Sequence, residues 1–153
     1  MSTTTPARFV ILAAIDGSPA SEGVATTAAR LAATHPGAEL HLLHVIDSSA
    51  EADTAILAET AGDRATRHRK VLERAGEHIV AIGLPRPPEH LVAGSPKSVV
   101  LEIAANLSTD LIVVGTHGRT GLHRLLVGSV AELIVRSAHC HVLVVRDKGY
   151  PIL

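Results

Sequence analysis

The stretch that decides the fold is Leu111-Ile-Val-Val-Gly-Thr-His-Gly-Arg-Thr-Gly-Leu-His-Arg-Leu-Leu-Val-Gly-Ser-Val130. It opens with an apolar run, Leu111 to Val114, whose length and β-branched content indicate a buried strand. Three glycines then interrupt the pattern, and a second apolar-periodic segment begins after Gly128. The stretch therefore predicts a strand, a glycine-bearing loop and a helix, in that order.

This arrangement can form an anion site. Glycines let the backbone come close to a phosphate, and the unpaired N–H groups of the first helical turn point at it. Ser129 can cap the helix or donate its hydroxyl to a phosphate oxygen, and Arg119 and Arg124 add positive charge to the loop. On glycine count alone, a tight structural loop with a capping serine is the better explanation.

Composition excludes several classes of function. The chain has 153 residues, which is most simply one domain, 1–153, with a flexible tail at 1–7. Hydrophobic residues make up 46% of it, yet it has one Phe, one Tyr and no Trp, so no aromatic platform exists for stacking bases. A net charge of −1 shows none of the excess positive charge that is typical of nucleic-acid-binding proteins. We therefore expect no nucleic-acid partner.

The compartment follows from three features. One cysteine, Cys140, excludes an internal disulfide and fits a reducing environment. The start, Met-Ser-Thr-Thr-Thr-Pro, lacks the basic and apolar regions of a signal peptide. No apolar run approaches the ~20 residues that cross a bilayer. We expect a cytoplasmic protein without a membrane partner.

A second candidate site follows the first strand. Phe9–Ile15 is continuously apolar, as expected of a strand covered on both faces of a parallel sheet. Ser18 is predicted to cap the next helix, with Pro19 at its first position and an end near Thr34. Asp16 is either a turn former or a carboxylate that points into a ligand crevice at the carboxyl edge of the sheet.

The remaining elements continue the alternation of strands and helices. They are predicted at Glu39–Val45 (strand), in the charged region up to Ile82 (helix), and at Glu89–Ala93 (strand), Pro96–Leu107 (helix), Leu111–Val114 (strand), Ser129–Ser137 (helix) and Cys140–Val145 (strand). Five strands and four helices predict an α/β fold: an open, mostly parallel, Rossmann-like sheet with helices on both faces. Ligands of such sheets bind beyond the carboxyl ends of the strands.

Histidines occur in the second strand and in the helix that follows it. His41 and His44 lie an odd number of residues apart, so they face opposite sides of the strand and do not form a metal pair. We expect each to be bonded to a neighbour. His68 falls on the apolar, inward face of the helix.

The pattern Gly115-x2-Gly118-x9-Gly128-Ser129 directly follows a predicted strand. It resembles the nucleotide-binding loop of the universal stress protein family, whose ATP-binding members carry G-x2-G-x9-G-(S/T). The segment GTHGRTGLHRLLVGSVAELIV is similar to the sequences of that family over its whole length, and the resemblance extends from Val10 to Arg146. The loop is not a Walker P-loop, because no Lys stands between Gly128 and Ser129.

The resemblance implies an adenine nucleotide alpha hydrolase-like fold and a nucleotide site. It implies that Val45 lies at the adenine, Asp16 at the ribose and at a Mg²⁺ or Mn²⁺ ion, and the phosphates on the amides of Gly118 to Gly128 and the Ser129 hydroxyl. An aliphatic slot between Ile15 and Val45 is expected to replace aromatic stacking. The full set of implied site residues is Ile15, Asp16, Gly17, Ser18, Val45, Gly94, Gly115, Thr116, His117, Gly118, Arg119, Gly121, Gly128, Ser129 and Val130.

The function that the resemblance implies is an ATP-binding regulatory module of a stress response, not an enzyme. Family members pair the last strand across a two-fold axis, so we expect a homodimer through Val142–Val145 and an unidentified regulatory protein partner. Three alternatives stay open: a weak ATPase or nucleotide hydrolase, a binder of AMP or a cyclic nucleotide, and an interaction dimer that needs no nucleotide. Hydrolysis is disfavoured because no loop residue is clearly placed as a base.

Overall fold

The computed structural model describes residues 7–48, 61–116 and 128–146. Within these ranges strands and helices alternate along the chain. Their bounds are β1 Phe9–Ile15, α1 Ala20–Thr34, β2 Ala38–Asp47, α2 Ala61–Ala81, β3 Glu89–Gly94, α3 Pro96–Asn106, β4 Leu111–Gly115, α4 Ser129–Ser137 and β5 His141–Val145. The predicted alternation of strands and helices is confirmed.

The strands form a sheet of order β3-β2-β1-β4-β5, in which every pairing of the described strands is parallel. The chain builds outward from β1 to β3 on one side and then returns to add β4 and β5 on the other. Strand order therefore reverses between β1 and β4. In open α/β sheets this reversal opens a crevice at the carboxyl ends of the two strands.

Helices cover both faces of the sheet, as predicted. Side chains alternate across β1, so Ile11, Ala13 and Ile15 face α1 and α2, while Leu12 and Ala14 face α3 and α4. We call the two layers the first core and the second core. Beside the β1 residues, the first core contains Val24, Ala25, Leu42, Leu72 and Ile79, and the second contains Leu43, Val100, Ile112, Ala131 and Ile134.

The helix cap predicted at Ser18 is wrong. α1 begins at Ala20 with Pro19 in the cap position, and no side chain caps it. The Ser18 N–H donates to the Asp16 carboxylate at 2.9 Å, and the Ser18 carbonyl accepts from the Ser21 N–H at 3.0 Å. Ser18 is thus held in the turn before the helix. In α4 the cap position belongs to Gly128, and Ser129 is the first helical residue.

No helix in the described part of the chain combines the length and the apolar character that a membrane crossing requires.

Candidate functional site

A cavity of about 340 Å³ opens where the strand order reverses, at the carboxyl ends of β1 and β4. Its volume falls within the range of small-molecule sites, roughly 300–1,000 Å³. Residues from β1, β2, β4, α1, α3 and α4 line it. The predicted site residues among them are Ile15, Asp16, Ser18, Val45, Gly115, Thr116, Gly128, Ser129 and Val130.

The other predicted residues are elsewhere. Gly17 does not line the cavity; its N–H donates to the Ser21 hydroxyl oxygen at 3.0 Å. Gly94 ends β3, and a Cβ added there would lie 2.7 Å from a Val99 methyl carbon, so close packing on α3 explains this glycine. His117, Gly118, Arg119 and Gly121 lie outside the described residues.

The floor of the cavity is aliphatic. The slot expected between Ile15 and Val45 is wrong in its geometry, because Ile15 packs in the first core while Val45 packs against the second. Ala14 takes the place expected of Ile15. It lies on the same face as Val45 and Val114 and lines the cavity with them. A short side chain between two valines leaves room for a flat apolar group.

Hydroxyl and carboxylate groups form one rim. A carboxylate oxygen of Asp16 accepts from the Ser18 N–H at 2.9 Å and from the Ser21 hydroxyl at 3.1 Å. The Ser21 oxygen in turn accepts from the N–H groups of Asp16 and Gly17. The Ser18 hydroxyl is buried and makes no hydrogen bond to any described residue. Most buried polar groups in native proteins are hydrogen-bonded to protein or to ordered water.

The start of α4 forms the opposite rim. Ser129, Val130 and Ala131 are its first three residues, and all three line the cavity. The first residues of a helix have N–H groups without an intrahelical acceptor, and these carry a partial positive charge. The Gly128 N–H, by contrast, donates to the Thr116 carbonyl at 2.7 Å. This amide is therefore already bonded within the chain, and its contact with phosphate stays a prediction.

Twelve of the described residues that line the cavity were not predicted, among them Ala14, His44 and Asp47. Asp47 is the last residue of β2 and lines the cavity, as Asp16 does. Within residues 7–48, 61–116 and 128–146, no group of three or more His, Cys, Asp and Glu side chains is arranged to hold a metal ion by itself. The position of Asp47 after an apolar strand was the available signal, as it was for Asp16.

The fold and the cavity define a class: a doubly wound parallel α/β protein with a ligand cavity at the reversal of strand order. Residues 8–146 match the model of the Usp family, described as the universal stress protein family. The chain belongs to the universal stress protein family.

Similar proteins match most of the chain. Universal stress protein A homolog 1 of Coxiella burnetii is 40% identical over 140 residues, which cover 88% of this chain and 94% of that protein. The solved structure of universal stress protein UspA from Lactobacillus plantarum has a TM-score of 0.78 at 30% identity, covering 92% of this chain and 99% of that one. A universal stress protein solved in complex with cAMP has a TM-score of 0.70 at 24% identity, and the match covers 92% of this chain and 98% of that one.

Proposed function

We propose that this chain binds an adenine nucleotide, with ATP as the first candidate, and acts as a nucleotide-dependent regulatory module of a stress response in the cytoplasm. One observation carries the proposal. An aliphatic floor around Ala14 and the start of α4 lie on the same cavity, so an apolar base and a phosphate chain would each find a matching surface. A protein of this fold solved with cAMP supports adenine nucleotides as the ligand class.

The adenine would lie on Ala14, Val45 and Val114, because these aliphatic side chains bury a flat ring without aromatic stacking. The ribose would lie beside Asp16 and the unpaired hydroxyl of Ser18. The phosphates would accept from the first N–H groups of α4.

A divalent metal would be held by the phosphates together with carboxylate oxygens. Mg²⁺ prefers oxygen ligands and retains water, so it needs few protein groups. Asp16 and Asp47 both line the cavity, and their carboxylates would provide such ligands. When bound, the metal supplies positive charge that offsets repulsion between phosphate and carboxylate.

The same cavity supports binding rather than hydrolysis. A hydrolase needs a group that orients or deprotonates water. His44 makes hydrogen bonds to the Ile15 carbonyl at 2.8 Å and to His68 at 2.7 Å, so both of its nitrogens are engaged. One oxygen of Asp16 is engaged with Ser18 and Ser21. We therefore propose a sensor, with any hydrolysis slow.

A homodimer through β5 is part of the proposal. Val142, Leu143, Val144 and Val145 are all partly exposed, and β5 lies at one end of the sheet. An apolar edge strand readily pairs with a second strand. Two copies of β5 would extend the sheet across a two-fold axis, and the nucleotide state could then be read by a protein partner.

Calorimetric titration of nucleotide-free protein with ATP, AMP and cyclic AMP, with and without Mg²⁺, tests the proposal. Ala14→Leu should abolish binding, because the larger side chain occupies the cavity floor. Ala65→Leu makes the same change on the exposed face of α2 and should bind as the wild type does. Circular dichroism verifies that both variants fold. If the wild type binds none of the three nucleotides, the proposed function is wrong.

A further inference from the structure

Two buried histidines connect the cavity wall to α2. His44 is 2% exposed and lines the cavity, whereas His68 on α2 is 6% exposed and does not line it. The rings are stacked, with centroids 5.0 Å apart and planes at 27°. Nε2 of His44 lies 2.7 Å from Nδ1 of His68, and Nδ1 of His44 lies 2.8 Å from the carbonyl oxygen of Ile15.

These contacts determine where the protons lie. A carbonyl oxygen only accepts, so Nδ1 of His44 carries a hydrogen and donates it to Ile15. In the neutral ring Nε2 then has no hydrogen and accepts, so Nδ1 of His68 is the donor. Both rings are Nδ1–H tautomers. The hydrogen bonds run in one direction, from His68 through His44 to the backbone at the end of β1.

The acceptor lies where a small displacement would change the cavity. Ile15 is the last residue of β1, and Asp16, which follows it, forms part of the rim. The hydrogen bond from His44 therefore fixes the peptide group that precedes the Asp16 carboxylate. A second contact ties α2 to the same edge of the sheet, because Nη2 of Arg64 donates to the Asp47 carbonyl at 3.0 Å. The first turns of α2 are thus bonded to the end of β2 and, through His44, to the end of β1.

We propose that His68 is a positioning residue for the nucleotide site and acts through His44 on the carboxyl end of β1. This inference rests on the proposed function. His68 orients the His44 ring, and the ring orients the Ile15 carbonyl. A residue outside the cavity therefore controls how well the rim fits a ribose and a metal-bound phosphate.

Two substitutions of His68 distinguish the effect of its hydrogen bond from the effect of its packing. His68→Leu keeps a buried side chain but removes the donor. His68→Asn has an amide N–H near the position of Nδ1, so it restores the donor without an imidazole. The matched control is His90→Leu, which removes the other histidine pair, in which Nε2 of His90 lies 3.0 Å from Nδ1 of His41. His90 does not line the cavity.

Nucleotide affinity is measured by ATP titration, with circular dichroism as the check on folding. Because His68→Leu removes one hydrogen bond that orients His44, it should weaken ATP binding about three- to tenfold. His68→Asn should bind within about twofold of the wild type, and His90→Leu should be unchanged. Equal affinity of wild type and His68→Leu would overturn the inference, as would a folded His68→Asn that binds weakly.

The tautomers give a readout that does not depend on nucleotide. Long-range ¹H–¹⁵N spectra of the imidazole rings should show Nδ1–H forms for both His44 and His68. An Nε2–H form at His44 would refute the relay even if ATP binds. Failure of the wild type to bind any nucleotide would refute the proposed function and the affinity claim together. If His68→Leu does not fold, the spectra and the affinity of His68→Asn decide the question.

Discussion

The turn between β1 and α1 gives a prediction that can be worked out from the structure. Gly17 has φ = +80°, and a Cβ added there would lie 3.0 Å from Cγ2 of Val71 on α2. A left-handed backbone costs a non-glycine residue about 1–2 kcal/mol. A smaller gain from the less flexible unfolded chain offsets part of this, and Val71 must also shift by a few tenths of an ångström. We expect Gly17→Ala to lower the free energy of unfolding by about 1–2 kcal/mol.

Urea unfolding followed by circular dichroism measures this change, and the melting temperature should fall by about 2–8 °C. Gly83→Ala is the matched control, because Gly83 has φ = +86° and no atom within 4 Å of an added Cβ. Gly83→Ala should show only the cost of the left-handed backbone, so its free energy of unfolding should fall less than that of Gly17→Ala. In a Val71→Ala background the cost of Gly17→Ala should shrink toward that of Gly83→Ala.

The cost of the left-handed backbone and the cost of the Val71 contact can be tested separately. If Gly83→Ala and Gly17→Ala leave stability unchanged or raise it, the argument from backbone conformation is wrong. If both variants lose the same amount and Val71→Ala does not couple to Gly17→Ala, the argument from the Val71 contact is wrong.

Three further predictions concern stability and reactivity. Burial, with the nearby His90, lowers the pKa of His41 below 6.5, so the unfolded chain takes up this proton at higher pH than the folded one. The free energy of unfolding should therefore fall as pH decreases from about 6.5, and urea unfolding at a series of pH values should show a smaller fall for His41→Gln. The same pH dependence in wild type and variant would contradict this. Burial raises the pKa of the Cys140 thiol above 9.0, so a thiol reagent at neutral pH should label the folded protein far more slowly than the unfolded chain, and similar rates would count against the structure. Gly23→Ala in α1 should raise the free energy of unfolding by about 0.5–1 kcal/mol, because alanine favours a helix more than glycine does. The new Cβ has room, since its nearest atom is Cγ1 of Val145 at 3.9 Å. A lower melting temperature for this variant would refute the prediction.

The sequence predicts the buried elements well because their physics is local. β1 and α4 have the predicted bounds, since a strand covered on both faces is continuously apolar and a helix has its own period. β2 runs two residues beyond its predicted end at Val45, because Ile46 and Asp47 pair with the end of β3. A polar residue at the end of a strand gives no local sign that the pairing continues.

The site was harder to predict because it depends on register and on distant contacts. Choosing Ile15 rather than Ala14 for the cavity floor is an error of one residue, and in a strand that places the side chain on the opposite face. His44 and His68 were each placed correctly, His44 bonded to a neighbour and His68 facing inward. That they bond to each other, 24 positions apart, follows only from the packing of α2 on the sheet.

The central claim is that a nucleotide spans the cavity from the floor at Ala14 to the start of α4. Amide ¹H–¹⁵N spectra recorded while ATP is added test it most directly, with adenosine as the comparison. We predict that ATP shifts the Ala14 and Val45 signals and those of Ser129 and Val130, whereas adenosine shifts only the first pair. If ATP does not shift the signals of Ser129 and Val130, or if adenosine shifts them as much as ATP does, the phosphates do not bind at the start of α4 and the claim is contradicted.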